Sequence, residues 1–195
     1  MIVLKFGGTS VSSKTNLEHI KSILHKKDDN YIVVVSAFSQ VTNKLENIAR
    51  QALLRDVTDL LDELKEIHFE LIGQLFTAQY QTEMIMRVQQ KMNELEAICK
   101  GIHILKELSP RTLANVSSFG EQLSAYILHK YLDRCGIEIE LLNSSELIHA
   151  EGDYLNATAD LAKTTKAISE KVADKNYIAG GFIASNKDGE MVTLG

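Results

Sequence analysis

The chain has 195 residues, 45% of them hydrophobic, and a net charge of −5. That is enough for one domain with a sizeable core, or one large piece of a bigger domain, and the acidic balance argues against a nucleic-acid-binding surface. No apolar run nears the roughly 18 residues a membrane span needs, and the start lacks the charged-then-apolar pattern of a signal peptide, so a cytoplasmic protein is expected.

Ile2-Val3-Leu4 reads as a first strand, running into Lys5-Phe6-Gly7-Gly8-Thr9-Ser10. Leu17, Ile20 and Leu24 then recur at helical spacing, which predicts a helix over 13–27 with a capping box from Thr15 and Glu18. Tyr31 to Val35 is continuously apolar and rich in β-branched residues, as in a strand covered on both faces. Strand, helix and strand within so short a span make a βαβ unit and predict a parallel sheet, whose carboxyl edge brings Ser36 to Gln40 near the first loop. Residues 43–108 hold two apolar stripes, Leu60 to Leu75 and Met84 to Ile102, which predict an antiparallel helical pair packed on the sheet or, alternatively, an oligomer surface. Ser109 as N-cap and Pro110 at the first helical position open a helix that Gly136 closes. Beyond it the pattern predicts a strand over 137–142, a helix over 157–173, a strand from Tyr177 interrupted by Gly180-Gly181, and a hairpin around Asn186-Lys187-Asp188-Gly189. The expected architecture is a three-layer α/β/α sandwich with a mostly parallel sheet.

Cys99 and Cys135 lie far apart and read as reduced, structural residues. None of the six histidines is paired at a ligand spacing, so no metal site is expected. Lys5-Phe6-Gly7-Gly8-Thr9-Ser10 suits phosphate: two residues without side chains let backbone N–H groups approach an anion, the helix start adds a positive dipole end, and Lys5 adds a full charge. A Gly-Gly at this place also serves as a tight turn. The loop is not a Walker A motif. Glu121 follows Ser117-Ser118-Phe119-Gly120 and shares a helical face with Ser124, Ala125 and Leu128, which leaves room for a ligand beside a carboxylate; a solvated helix glutamate is the plainer reading. Asp153, Tyr154 and Asn156 either reach a pocket or serve turns and caps.

Together, Lys5 to Val11, Ser36-Ala37 with Val41-Thr42-Asn43, Ser118-Phe119-Gly120-Glu121, Gly180 to Ile183 and the ending Thr193-Leu194-Gly195 resemble the aspartate kinases of the amino-acid kinase superfamily, in order along the whole chain. The resemblance implies a carbamate kinase-like fold and transfer of the ATP γ-phosphoryl group to the side-chain carboxylate of L-aspartate, the first step towards lysine, threonine and methionine. It implies Lys5 on the transferring phosphoryl, Gly7, Gly8 and Ser10 at phosphate oxygens, Thr42 and Glu121 on aspartate with Glu121 at the α-ammonium, Ser36 and Ala37 lining the pocket, and Mg²⁺ bridging the phosphates. In that family an Arg-Gly-Gly-Ser-Asp segment follows, then the adenosine pocket and ACT domains. Residues 1–195 are therefore expected to be the amino-acid-binding, N-terminal part of a kinase domain, cut from a longer homo-oligomeric enzyme that is either monofunctional or fused to homoserine dehydrogenase. The sequence also leaves room for another acyl-phosphate-forming kinase, such as a glutamate kinase, or for a non-catalytic binding module.

Overall fold

The computed structural model describes every residue from Met1 to Gly195. In chain order the elements are β1 (Ile2–Phe6), α1 (Gly8–Val11), α2 (Lys14–Leu24), β2 (Tyr31–Val35), α3 (Val41–Ala52), α4 (Thr58–Leu75), α5 (Ala78–Leu105), α6 (Pro110–Arg134), β3 (Glu140–Leu142), α7 (Ser144–Leu147), β4 (Ala150–Glu151), β5 (Thr158–Ala159), α8 (Leu161–Lys171), β6 (Tyr177–Gly180), β7 (Ile183–Ser185) and β8 (Met191–Thr193).

Four strands form a parallel sheet in the order β1-β2-β6-β3. The crossovers from β1 to β2 and from β2 to β3 run in one direction across it, and the return from β3 to β6 runs in the other. Right-handed crossovers therefore put α2 to α6 on one face and α8 on the opposite face. The registers agree. Ile2, Leu4, Phe6, Tyr31, Val33, Val35 and Ile178 share the first face and enter or pack against a contiguous core of 38 buried residues. On the second face Tyr177 and Ala179 are buried, and the Tyr177 hydroxyl accepts a hydrogen bond from the Ala173 N–H just past α8. That cover does not reach the β1 edge, where Val3 is 67% exposed. No helix is long and apolar enough to cross a membrane.

α6 is the central helix of the first layer. Residues 113–128 are buried almost without interruption, because α3 and α5 flank the helix while β2, β6 and β8 lie beneath it. Its ends follow the sequence: the Ser109 hydroxyl accepts from the Thr112 N–H, and Gly136 sits at φ +80° with its N–H on the Asp133 carbonyl and the Ile137 N–H on the Leu132 carbonyl.

Five local expectations are corrected. The first helix is split: α1 is one turn, and α2 is capped by Ser13, whose hydroxyl accepts from the Asn16 N–H, rather than by Thr15 and Glu18. Residues 43–108 belong to three helices, because α3 starts at Val41 after Gln40 takes a left-handed φ of 65°. The third strand spans only Glu140–Leu142, since Ile137 is drawn back onto the end of α6. The helix expected over 157–173 is α8, which starts at Leu161 and is capped by Asp160 through the Lys163 N–H. Thr158 and Ala159 pair instead with Glu151 and Ala150.

Candidate active site

The first loop leaves β1 at the carboxyl edge of the sheet. Gly7 is extended, and Gly8 opens the single turn of α1, whose leading N–H groups have no intrahelical acceptor. A Cβ at Gly8 would lie 2.8 Å from the Ala37 carbonyl oxygen, so the first loop touches the second backbone to backbone and any side chain there would separate them. A Cβ at Gly7 would meet nothing within 4 Å, so that backbone faces open space. The half-buried Ser10 donates its N–H to the Gly7 carbonyl at 2.9 Å. Ser12 ties the two loops: its hydroxyl donates to the Gly8 carbonyl and accepts from the Ser39 N–H at 2.6 Å.

The second loop leaves β2. The Ser36 N–H donates to the Phe6 carbonyl, and the Ser36 carbonyl accepts from the Ser124 hydroxyl at 2.9 Å. Ala37 donates its N–H to Glu121 Oε1 at 3.1 Å. Phe38 is buried against the His68 ring, with centroids 5.5 Å apart. Thr42 follows in the first turn of α3, half-buried.

Glu121 reaches this place because two glycines let α6 sink onto the sheet edge. A Cβ at Gly120 would stand 2.7 Å from the Ala37 Cβ, and one at Gly180 would stand 3.0 Å from the Glu121 Cβ. Glu121 is 3% exposed, and its Oε2 is buried without a hydrogen-bond partner. Burial pushes its pKa up to about 7, opposed by the hydrogen bonds from the Ala37 N–H and its own backbone, and no charged neighbour contributes. A buried carboxyl with one free oxygen suits a ligand that brings its own positive charge and N–H donors.

Past Gly180 the chain turns sharply. The Gly181 N–H donates to the Val35 carbonyl at 2.7 Å, and Phe182 takes a φ of 64°, an unfavourable left-handed conformation for a bulky side chain. This turn redirects β6 into the β7–β8 hairpin. Tyr154 donates its hydroxyl to Glu190 and its carbonyl accepts the Thr193 N–H, so the 153–156 loop straps that hairpin. Asp153 and Asn156 are exposed.

Of the residues singled out from sequence, Gly8, Ser36, Ala37 and Glu121 are brought into one cluster. Gly7, Ser10 and Thr42 flank it. Lys5 is exposed on β1 with its side chain on the second face of the sheet, in register with Val34 and away from the Glu121 carboxyl. Ser12, Gly120, Ser124 and Gly180 hold the site together and were not singled out for it. No group of three or more His, Cys, Asp and Glu side chains is placed to hold a metal ion.

A glycine loop after a first parallel strand thus lies at the same sheet edge as a buried acid. The chain belongs to the amino acid kinase family, whose sequence pattern it matches over residues 1–195. More particularly, it is 30% identical over 204 residues to the bifunctional aspartokinase/homoserine dehydrogenase of Buchnera aphidicola, covering 100% of this chain and 25% of that protein. It is 33% identical over 177 residues to the chloroplastic aspartokinase 3 of Arabidopsis thaliana, covering 87% of this chain and 30% of the relative. The fold matches E. coli aspartokinase III in complex with aspartate and ADP with a TM-score of 0.91 at 21% identity, over 100% of this chain and 43% of the other. The chain thus spans between a quarter and less than half of these proteins.

Proposed function

We propose that this chain is the amino-acid-binding part of an aspartate kinase, and that the longer protein transfers the γ-phosphoryl group of ATP to the side-chain carboxylate of L-aspartate, giving 4-phospho-L-aspartate. The observation that carries the reading is the Glu121 carboxyl, buried at the sheet edge with Oε2 unpartnered and Oε1 on the N–H of Ala37, whose carbonyl abuts Gly8 of the glycine loop. An α-ammonium group supplies the charge and the donors that this oxygen lacks. Thr42 and the Ser36-Ala37 backbone line the same pocket. Gly7 and Gly8 offer backbone N–H groups to phosphate oxygens with Ser10 beside them at the helix start, and Lys5 neutralises charge developing on the transferring phosphoryl. Phosphoryl transfer asks for this kind of positioning and charge stabilisation rather than covalent chemistry. With no acidic cluster in the chain, Mg²⁺ would be carried by the phosphates of ATP, where it withdraws charge from them. The names of the relatives support the substrate. A cytoplasmic, homo-oligomeric enzyme with no membrane or nucleic-acid partner belongs to the same reading.

The test is ATP-dependent acyl phosphate formation, trapped as hydroxamate, by the complete polypeptide that contains this chain. Aspartate is expected to be used in preference to glutamate. The reverse preference would move the protein to the glutamate kinases, and no carboxyl phosphorylation at all would make it a binding module. Residues 1–195 alone are expected to be essentially inactive, because the resemblance assigns the carboxylate-holding arginine, a catalytic aspartate and the adenosine pocket to other segments.

A further inference from the structure

Around the Glu121 carboxyl only backbone N–H groups favour the ionised form, and burial outweighs them. Its neighbours across the interface are the backbone of Ser36 and Ala37 and Gly180 of β6, and its helical neighbours Ser117, Gln122, Ser124 and Ala125 are uncharged. The titratable and charged groups on the packed elements are engaged elsewhere. On α5, Lys91 pairs with Glu94 at 2.7 Å and lies over the Phe119 ring, and Arg87 lies over the Tyr126 ring. On α3, Lys44 pairs with Glu63 at 3.7 Å, Glu46 is half-buried and Arg50 is exposed. On β1, Lys5 is on the far face of the sheet, while Tyr31 and Tyr177 lie at the opposite ends of β2 and β6. On α6, Arg111 pairs with Glu190 at 2.9 Å, and Tyr126, His129, Lys130, Tyr131, Asp133 and Arg134 lie beyond Glu121 towards the C-terminal end. On the α4 side, Phe38 separates the loop from His68. One backbone N–H serves Oε1 and none serves Oε2, so an anion there would be buried with a single donor.

We propose that Glu121 is the neutral acid before substrate binds, and that docking of the substrate's ammonium group expels that proton to solvent and leaves a buried carboxylate–ammonium pair. The step is balanced: the carboxyl O–H bond breaks, the proton goes to buffer, and the ligand's three N–H bonds stay intact. Binding of the amino-acid substrate is therefore coupled to pH through Glu121, and the site discriminates against dicarboxylates without an amino group, for which no charge forms at Oε2. This rests on the reading of Glu121 as the ammonium-binding residue.

Isothermal titration calorimetry of the complete polypeptide with L-aspartate, without nucleotide, in pairs of buffers that differ in ionisation enthalpy, counts the released protons. With the carboxyl pushed up to about 7, proton release approaching one per site is expected at acidic pH, falling towards none as the pH rises well above 7. Succinate at pH 7 is expected to bind more weakly and release none. Glu121→Gln keeps an oxygen for the Ala37 N–H and is expected to abolish release in whatever binding it retains. Aspartate binding with buffer-independent heats overturns the proposal while leaving the substrate reading intact. Absence of aspartate binding overturns both. The unsubstituted protein alone decides the first of these, so a variant that fails to fold does not spoil the test.

Discussion

Gly180 at the end of β6 and Glu121 on α6 are in backbone contact: a Cβ at 180 would lie 3.0 Å from the Glu121 Cβ and 3.2 Å from its carbonyl oxygen. Hydrogen at this one position sets how deeply the acid sits. Gly180→Ala is expected to push α6 off the sheet edge, lengthen the Ala37 to Glu121 hydrogen bond, and cost about 1–3 kcal/mol by overpacking. Denaturant unfolding measures the cost and aspartate titration the displaced acid. Wild-type values for both would mean that α6 yields freely.

Lys5→Ala is expected to lower the turnover of the complete enzyme roughly 100-fold or more while changing the KM for aspartate little. Lys5 is exposed and on the other sheet face from Glu121, and under the proposed function its charge would act on the transferring group rather than on the bound amino acid. Steady-state kinetics separates the two constants, and an unchanged turnover number removes Lys5 from catalysis.

Two buried groups give the stability opposite pH slopes. Burial lowers His68 to about 4, so its contribution is present above the ordinary histidine range and is lost as pH falls through about 4. Burial raises Glu121 to about 7, so its contribution is present below the ordinary carboxylate range and is lost as pH rises through about 7. Glu121→Gln is therefore expected to be more stable than the parent at pH 8 and about equal to it at pH 4. Unfolding curves across that range check the crossover, and parallel profiles would show that the carboxyl is not held neutral.

Ser12→Ala removes the hydroxyl that joins the Gly8 carbonyl to the Ser39 N–H. One such hydrogen bond contributes about 1 kcal/mol to stability. The larger expected effect is on function, because both loops lose their register, and a several-fold rise in KM for both substrates is expected. A change in stability with unaltered KM values would confine Ser12 to folding.

The sheet was legible because its strands are short apolar runs, β-branched in Tyr31 to Val35, and α6 because Ser109, Pro110 and Gly136 mark its ends. The start of α3 was not legible. Gln40 enters it through a left-handed φ that no side chain announces, and the Ser12–Ser13 break is set by a bond to the second loop. Ala157 to Ala159 carry helix-compatible residues, yet pairing with Glu151 and Ala150 and a bond to Thr193 take them. The glycine string and Glu121 were visible as residues. What seats the acid was not, because Gly120 and Gly180 lie far apart in sequence and their lack of side chains matters only once helix and sheet meet.

The sheet also acts as a partition. Lys5 stands on one of its faces, and Glu121 comes down from the helices on the other. The strands between them keep the cation from quenching the acid, so no charged neighbour bears on Glu121 although both groups belong to one sheet edge. A dipolar molecule laid across the end of the sheet can meet the acid with its positive end while its reactive end extends past the strand tips towards the lysine. Under the proposed function the two roles can be retuned separately: substitutions on the helix side are expected to alter which molecule is held, and those on the open side what is done to it.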